Sequence, residues 1–537
     1  MTTTQPPAAA QPPAPLSAWA PLQHPLYRAL WGAQLVSNIG TWMQNVGAVW
    51  LMGSLGGSPA EVALVQSAVT LPVFLTALPA GALADIVDRR RLLLCTQTWM
   101  LLSAGALAAL TAADEVTPGV LLALVFSLGL GTAINMPAWQ AIQPELVPRR
   151  EFPQAVALGS ASINVGRAIG PAIGGILVAA AGSEAVFALN AVSFLGIVVV
   201  LFTWRRERSE SDMPSERLLG AVRAGLRYGR NSPALRAVLA RSATFMIAAS
   251  AFMALLPVVA RSELHMSAAG FGALLTCFGA GAVIATATLP RLRERVDIDR
   301  LVVGATLVVA AAALALALAE HVVVAVLASL AGGVAWVVCL SSFNVSAQRA
   351  LPGWVRARGM GFYLLTVQGG TALGAALWGT VATTWDVRVA LGAAACALAL
   401  GTLVARRFRL AWGERLDLRS APYTSEPSLV IEPRPEQGPV LVTLEYRVPE
   451  SNADEFADRM RKVGRVRRRT GARRWGLWRA PAEPTRFLET FLVESWEEHL
   501  RQHQRVTATD RRVEDEAREL ASEVAEPAAT HFVSAYS

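Results

Sequence analysis

A charged side chain stands inside an apolar stretch of this chain, in the segment SINVGRAIGPAIGGILV from Ser162 to Val178. Asn164 and Arg167 are three residues apart, so they lie on one face of a helix. A guanidinium at this place either binds an anionic substrate group or holds backbone carbonyls and neighbouring amides as structure. The sequence leaves both roles open, since no apolar stretch carries an aspartate or glutamate well inside it to serve as a partner.

Uncharged polar residues accompany this arginine in the other apolar stretches. Residues spaced four, three and four apart form one polar row in the first stretch, and further polar residues occur in later ones: Gln34, Asn38, Thr41 and Asn45, then Gln140, Asn344 and Gln368. For any single one, hydrogen bonding between helices is the simpler role. Together with Asn164 and Arg167 they predict a substrate path that is polar but nearly uncharged.

Glycines in the opening segment recur with helical spacing. Gly166, Gly170 and Gly174 are four residues apart and form a smooth stripe for close helix contact, with Gly175 beside it. Pro171 removes a backbone hydrogen bond and can kink the helix. The pattern predicts a tightly packed surface on which one helix rocks against another.

A second motif, GALADIVDRRR, places acids beside arginines in a short loop. Gly81, Asp85, Asp88, Arg89 and Arg90 could form an acid–arginine link that closes in one conformational state and opens in another. The alternative is a basic anchor at the cytoplasmic membrane surface. The two acids favour the gating role.

The elements that carry these motifs are membrane helices. The chain has 537 residues, 53% hydrophobic and 16% charged, with a mean hydropathy of +0.40. Soluble domains carry about 25% charged residues, and about 20 apolar residues cross a bilayer. The sequence predicts twelve spans, at roughly 28–55, 60–84, 92–113, 117–142, 154–181, 185–204, 236–260, 267–290, 301–319, 322–346, 360–384 and 387–405.

Arginine placement predicts the orientation of these spans. Residues 1–405 contain 25 arginines and no lysine, and most of the arginines fall in one set of loops. By the positive-inside rule that side is cytoplasmic, and so are both termini. The net charge of +8 is mainly this topology signal, so we expect no nucleic-acid partner. The four cysteines lie in spans without disulfide or metal spacing, and we expect no metal and no cofactor.

The two halves of the membrane part resemble each other. At an offset of 204 residues, Gly166, Gly170 and Gly175 match later glycines, which indicates a duplicated six-helix unit. Such repeats place a substrate site near the membrane midplane between the halves. The predicted organisation is a disordered tail, two six-helix halves joined by a linker with an amphipathic helix, a second linker and a soluble domain: 1–24, 25–204, 205–235, 236–405, 406–438 and 439–537.

The soluble part from about residue 439 predicts the order β-α-β-β-α-β, typical of a ferredoxin-like α+β domain. It resembles the small dimeric α/β-barrel domains of the antibiotic-biosynthesis-monooxygenase type. Trp496, His499 and His503 could line a pocket, but no third ligand pattern accompanies the two histidines. A packing or dimerisation module is favoured over an enzyme.

The loop and the glycine segment together resemble the major facilitator superfamily. Gly81, Asp85, Arg89 and Arg90 match its signature between helices two and three, whereas Ile86 and Asp88 depart from it. The run from Gly166 to Gly175 matches its helix-five signature, which is associated with exporters. The chain looks like the branch that contains the bacterial enterobactin exporter and transmembrane secretion effectors.

That resemblance implies a twelve-helix transporter in the bacterial plasma membrane that exports a small siderophore-like or drug-like molecule by alternating access. Its expected partners are the lipid bilayer, the exported molecule and a proton as coupling ion. No intramembrane carboxylate is present to support proton coupling directly. Two alternatives remain: a transporter fused to an active monooxygenase-like domain, and a sensor or scaffold built on a transporter fold.

Overall fold

A computed structural model describes residues 17–204, 218–410, 416–421, 433–521 and 529–535, and at 77–86, 149, 218–224 and 357 it describes the backbone alone. The membrane part is helical. Its helices are α1 (Pro25–Ser54), α2 (Pro59–Ile86), α3 (Arg89–Ala112), α4 (Pro118–Leu146), α5 (Phe152–Thr203), α6 (Leu218–Asn231), α7 (Pro233–Val258), α8 (Ala268–Arg295), α9 (Ile298–Ala317), α10 (Val322–Arg349), α11 (Arg356–Thr384), α12 (Val387–Gly401) and the short α13 (Val404–Arg407).

Ten helices within the described ranges are long and apolar enough to cross a membrane, against twelve predicted spans. Two features account for the difference. Helix α1 is 30 residues long, but its row of amide side chains lowers its hydropathy below that of the ten. Helix α5 is 52 residues long and counts once, although its backbone breaks at Gly182, where φ is 80°. Glycine is the residue that adopts such a φ without strain.

The chain divides into two compact units. The first contains residues 1–211 together with 257–279, and therefore the beginning of α8. Its core includes a cluster in which Tyr27 and Leu30 of α1 pack with Leu93, Ile142 and Ile197. The second unit contains residues 212–256 and 280–537, so it includes α6, most of α7 and the residues from 439 onward.

The part of the second unit predicted to be a soluble domain contains a four-stranded antiparallel sheet covered by helices. Its elements in chain order are β1 (Val440–Arg447), α14 (Ala453–Thr470), β2 (Arg474–Arg479), β3 (Arg486–Val493), α15 (Trp496–Gln504), α16 (Ala508–Arg518) and β4 (Ala529–Val533). The strand order is β2-β3-β1-β4. Phe456, Met460 and Val463, three and four residues apart in α14, are buried against the sheet and form its core.

The soluble domain packs on α6 and on the turn between α10 and α11, all within the second unit. Arg227 of α6 pairs with Glu498 of α15 at 2.6 Å, and Arg505 pairs with the same carboxylate at 2.6 Å. The guanidinium of Arg505 also lies 4.7 Å from the ring centre of Trp354. Burial alone raises the pKa of the Glu498 carboxyl, but hydrogen bonds from Arg505 and Arg227 outweigh it and hold that pKa below its usual value.

Candidate functional site

The glycine stripe of α5 packs against α1. A methyl group added to Gly166 would lie 2.9 Å from the carbonyl carbon of Asn38, and one added to Gly170 would lie 2.6 Å from Cβ of Trp42. A methyl group on Gly174 would lie 2.8 Å from Cα of Met43. Two of these three neighbours are backbone atoms, and carbon atoms normally stay about 3.5–4.0 Å apart. The three glycines therefore set the approach of α5 to α1.

The second unit repeats this contact between α11 and α7. A methyl group on Gly370 would lie 3.1 Å from Cβ of Met246, and one on Gly374 would overlap the carbonyl oxygen of Ile247. Gly374 is 204 residues after Gly170, and Ile247 is 204 residues after Met43, whose backbone nitrogen lies 3.6 Å from a methyl group on Gly170. Both partners of the contact thus repeat at the offset that the sequence predicts.

A second face of α5 contacts the beginning of α8 within the first unit. A methyl group on Gly175 would lie 2.6 Å from the carbonyl oxygen of Ala268 and 3.0 Å from Cα of Gly272. A methyl group on Gly272 would in turn lie 2.5 Å from the carbonyl oxygen of Pro171. The pyrrolidine ring of Pro171 removes the helical hydrogen bond to the carbonyl of Arg167. That carbonyl oxygen would lie 3.3 Å from a methyl group on Gly279.

Arg167 is partly buried, and its contact is local. Its Nη2 donates to Oδ1 of Asn164 at 2.6 Å, one turn earlier in α5. Asn164 itself is exposed. No carboxylate of the described residues lies within salt-bridge distance of Arg167. The amide of Asn164 orients the guanidinium of Arg167 but does not neutralise its positive charge. An arginine that binds an anion needs such an uncompensated charge.

The polar row of α1 is a hydrogen-bonded chain directed at α5. Nε2 of Gln34 donates to Oδ1 of Asn38 at 3.0 Å, and Nδ2 of Asn38 donates to Oγ of Ser162 at 2.8 Å. Thr41 bonds the carbonyl of Ser37 in its own helix. Asn45, the last predicted member, is partly buried. The row therefore combines contact between helices with partly accessible amides.

A buried amide pair beside this row was not among the predicted site residues. Nδ2 of Asn190 in α5 donates to Oε1 of Gln44 in α1, and both side chains are buried. Ser193 donates to the carbonyl of Asn190 at 2.6 Å. Asn190 is an inward-facing candidate by sequence, but the period of the polar row leaves out Gln44, which stands next to Asn45.

The remaining path residues are distributed over the two units. Gln140 of α4 is exposed in the first unit. In the second unit Asn344 accepts a hydrogen bond from Nε2 of Gln348 at 2.6 Å, and Gln368 is partly buried. Each lies in an apolar helix, as predicted.

The loop motif joins the ends of three helices. Nη1 of Arg89 pairs with Glu145 of α4 at 2.9 Å, and Arg90 donates to the carbonyls of Leu201 and Phe202 at the end of α5, both at 2.8 Å. Cations at helix C-termini satisfy free carbonyls and the helix dipole. Asp88 caps α3, since its Oδ1 accepts from the backbone N–H of Arg91 at 3.0 Å.

Two residues of the predicted gate are described only in part. Gly81 and Asp85 lie in the backbone of α2, and their side chains fall outside the described residues. Glu145, the carboxylate that binds Arg89, was missed, although it precedes a Pro-Arg-Arg sequence at the end of the fourth stretch.

Histidines of the soluble domain form a cluster that the sequence showed only in part. His499 and His503 of α15 have ring centres 4.6 Å apart, and His531 of β4 lies 4.7 Å from His499, with Trp496 beside it. Burial first, then the neighbouring positive charges, lowers the pKa of His499 to about 3 and that of His503 to about 4. No group in the described part of the chain has the geometry of a metal site.

Parts of the chain are similar in sequence to known transporters. The chain is 26% identical over 255 residues to the staphyloferrin A transporter of Staphylococcus aureus, a match that covers 47% of this chain and 64% of that one. It is 29% identical over 215 residues to the multidrug efflux pump Tap of Mycolicibacterium fortuitum (38% and 52% covered), and 26% identical over 277 residues to the enterobactin exporter EntS of Salmonella typhimurium (51% and 65%). The chain thus spans about half to two thirds of the length of these relatives.

Solved structures show the same fold at low sequence identity. A bacterial homologue of the lysosomal transporter Spinster in an inward-facing state superposes with a TM-score of 0.59 at 15% identity, covering 73% of this chain and 98% of that one. A bacterial homologue of ferroportin gives 0.56 at 17% identity, with 73% and 99% covered. The sequence pattern of the transmembrane secretion effectors matches residues 16–537. The chain therefore belongs to the transmembrane secretion effector family of major-facilitator-type membrane transporters.

Proposed function

We propose that this chain is a secondary active exporter that moves a small organic molecule across the bacterial plasma membrane by alternating access. The observation that carries the proposal is the double glycine contact of α5, with Gly170 against α1 and Gly175 against α8. Backbones that touch without intervening side chains can slide and tilt, since no rotamer has to change. Pro171, between the two contacts, removes one helical hydrogen bond, which lowers the resistance of α5 to tilting at this point.

The proposed substrate path follows the partly buried polar residues. Arg167, oriented by Asn164, meets an anionic or polar group of the substrate, while the Gln34–Asn38 row offers amide donors and acceptors. A path lined with amide side chains binds polar molecules and does not require them to carry a high charge. Relatives named as transporters of staphyloferrin A and enterobactin and as a multidrug pump favour siderophore-like or drug-like chemistry.

We further propose twelve spans with both termini cytoplasmic and a proton as the coupling ion. The break at Gly182 and the 30-residue length of α1 support the count of twelve. Arg89 and Arg90 at the start of α3, which bind carbonyls near the ends of α4 and α5, support the orientation. In this arrangement Asp85, Asp88, Arg89 and Arg90 hold the cytoplasmic ends of neighbouring helices and change partners during transport.

The experiment that tests the function is deletion of the gene followed by comparative metabolomics of the medium and measurement of drug tolerance. We expect one class of small molecule to disappear from the medium and to return on complementation. Proton coupling is then tested in proteoliposomes with an imposed pH gradient. If export is proton-coupled, accumulation of the exported molecule stops when the gradient is collapsed. A deletion strain with unchanged secreted metabolites and unchanged tolerance would contradict the export function and favour a sensor or scaffold.

For the soluble domain we propose a ferredoxin-like packing and dimerisation module rather than an enzyme. The strand order β2-β3-β1-β4 supports that fold. The face of the sheet away from α14 exposes Trp478, Leu488 and Phe532, an apolar surface that a second copy of the chain would cover. Trp478→Arg should convert a dimer to a monomer in light scattering of the detergent-solubilised protein. Quinol oxidation or haem binding by the protein would contradict the non-enzymatic role.

A further inference from the structure

A cleft lined with arginines separates the soluble domain from the start of α7. It has a volume of about 400 Å³ and lies entirely within the second unit. Arg230 ends α6, Arg236 begins α7, and Arg461, Arg465 and Arg468 belong to α14. We call these five arginines, with Trp475 of β2, the basic cleft.

We propose that the basic cleft binds an anionic, phosphate-bearing group. The three arginines of α14 stand at positions i, i+4 and i+7, so they project from one helical face. Like charges at this spacing repel each other. Two further arginines face them from α6 and α7, and the described residues that line the cleft include no aspartate or glutamate.

The charges of the basic cleft are largely uncompensated. Arg461 pairs with Asp458 at 2.5 Å, but both side chains are about 70% exposed, at 72% and 70%, so the pair is weak. The guanidinium of Arg468 lies 5.6 Å from the ring centre of Trp475. Arg230, Arg236 and Arg465 have no ion pair with any residue that the structure describes.

Nearby arginines that hold the domain together are paired instead. Arg227 binds Glu498, Arg469 binds Asp510, and the buried Arg467 binds Glu489 at 3.1 Å and Glu514 at 3.0 Å. The same interface thus supplies a carboxylate to every one of these arginines but none to Arg230, Arg236 or Arg465. Arg230, Arg236 and Arg465 are exposed, so their guanidinium groups are accessible to an anion from outside the chain.

The chemistry of the basic cleft fits phosphate. Guanidinium groups bind phosphate oxygens through paired, charge-assisted hydrogen bonds. The cation–π contact with Trp475 holds Arg468 in place, and Trp475 itself packs tightly on α14, where a methyl group on Gly464 would lie 2.7 Å from its ring. The volume is well above that of one water, about 30 Å³. It accommodates a phosphodiester with its glycerol, or a chain of phosphates.

The position of the basic cleft admits two sources for that phosphate. Arg236 lies in the first turn of α7, where a candidate membrane span begins, so a lipid headgroup would reach it. A soluble polyphosphate would enter from the solvent side. In either case the anion joins α14 of the soluble domain to α6 and α7, and it reinforces the contact that Arg227 and Glu498 make nearby.

The test compares two triple variants of the full-length protein. Arg236→Gln/Arg465→Gln/Arg468→Gln removes the charge of the basic cleft. The matched control, Arg434→Gln/Arg447→Gln/Arg474→Gln, removes three exposed arginines of the same domain and the same net charge. The proteins are placed in nanodiscs of phosphatidylcholine, with or without cardiolipin, and sodium tripolyphosphate is titrated into the lipid-neutral sample. Thermal melting of each variant without ligand checks that the variant is folded.

We expect the wild type and the control to bind one of the two probes. Binding of either probe raises the melting temperature, and bound cardiolipin is also retained in native mass spectrometry. The cleft variant should lose affinity at least about a hundredfold, since each charge-assisted hydrogen bond is worth about tenfold. Preference for cardiolipin assigns the phosphate to a lipid headgroup, and preference for tripolyphosphate assigns it to a soluble ligand. Equal binding by both variants, or no binding of either probe by the wild type, would overturn the proposal.

Discussion

Replacement of Gly170 by alanine or leucine tests the contact on which the proposed transport cycle depends. The added Cβ would lie 2.6 Å from Cβ of Trp42 and 3.0 Å from the carbonyl oxygen of Ile39. Since such carbon atoms prefer about 3.5–4.0 Å, α5 must withdraw from α1 by about 1 Å. Overpacking of this kind costs about 1–3 kcal/mol. The gain in helix propensity, about 1 kcal/mol, offsets part of that cost for alanine. Leucine adds more volume than alanine, and no further gain in helix propensity offsets the larger overpacking cost.

The matched control for this change is Gly196, which lies in the same helix with no atom within 4 Å of an added Cβ. Gly196→Ala and Gly196→Leu should therefore leave folding and export unchanged. We expect Gly170→Ala to slow export and Gly170→Leu to abolish it, with a lower melting temperature in the same order. Efflux is measured in cells that lack the gene, with the molecule that metabolomics identifies. If Gly170→Leu exports as fast as Gly196→Leu, the close α1–α5 contact has no part in transport.

Three other predictions concern separate parts of the chain. Arg167→Ala should stop export while the melting temperature stays unchanged, because within the described part of the chain its side chain makes a hydrogen bond to Asn164 alone and no ion pair. Normal export would leave Arg167 with a structural role at most. His499 has a folded pKa of about 3, below the usual 6.5, so the unfolded chain binds the extra proton. Stability of the domain should thus fall as the pH drops below about 6.5, by about 2 kcal/mol at pH 5, and His499→Phe should flatten this dependence in thermal melts. Glu498→Ala leaves Arg227 and Arg505 without their shared carboxylate. It should weaken domain docking by about 1–3 kcal/mol, seen as faster hydrogen exchange in α6; unchanged exchange would contradict the role of this contact.

The helices and the glycine pattern could be predicted from local sequence. Apolar length indicates a membrane helix because lipid offers no partner to an open backbone. The period of four places Gly166, Gly170 and Gly174 on one face wherever a helix forms. Strands β1 and β3 could be predicted in the same way from the alternation of apolar residues, and each buries every second residue. Ten candidate spans are found instead of twelve because the polar row lowers the hydropathy of α1 and because α5 continues as one helix past Gly182.

The pairing of residues distant in the chain could not be predicted, since no local period encodes it. Glu145 was not foreseen as the partner of Arg89, nor Asn190 as the partner of Gln44, because each pair joins helices through a contact that only packing defines. His531 lies beside His499 because β4 pairs with β1 at the edge of the sheet, a pairing between strands far apart in the sequence.

By itself, the sequence determined that this chain crosses a membrane many times, that its fifth predicted stretch carries a smooth glycine face, and that strands of alternating apolar residues follow. These properties depend on hydropathy and on helical or strand periods, which are local. Only the tertiary structure decided that the glycine face meets α1, that Gly175 meets α8, and that five arginines from three helices surround one cleft. The physical reason is that close packing and charge compensation depend on which surfaces meet in space, and distant segments of the chain supply those surfaces.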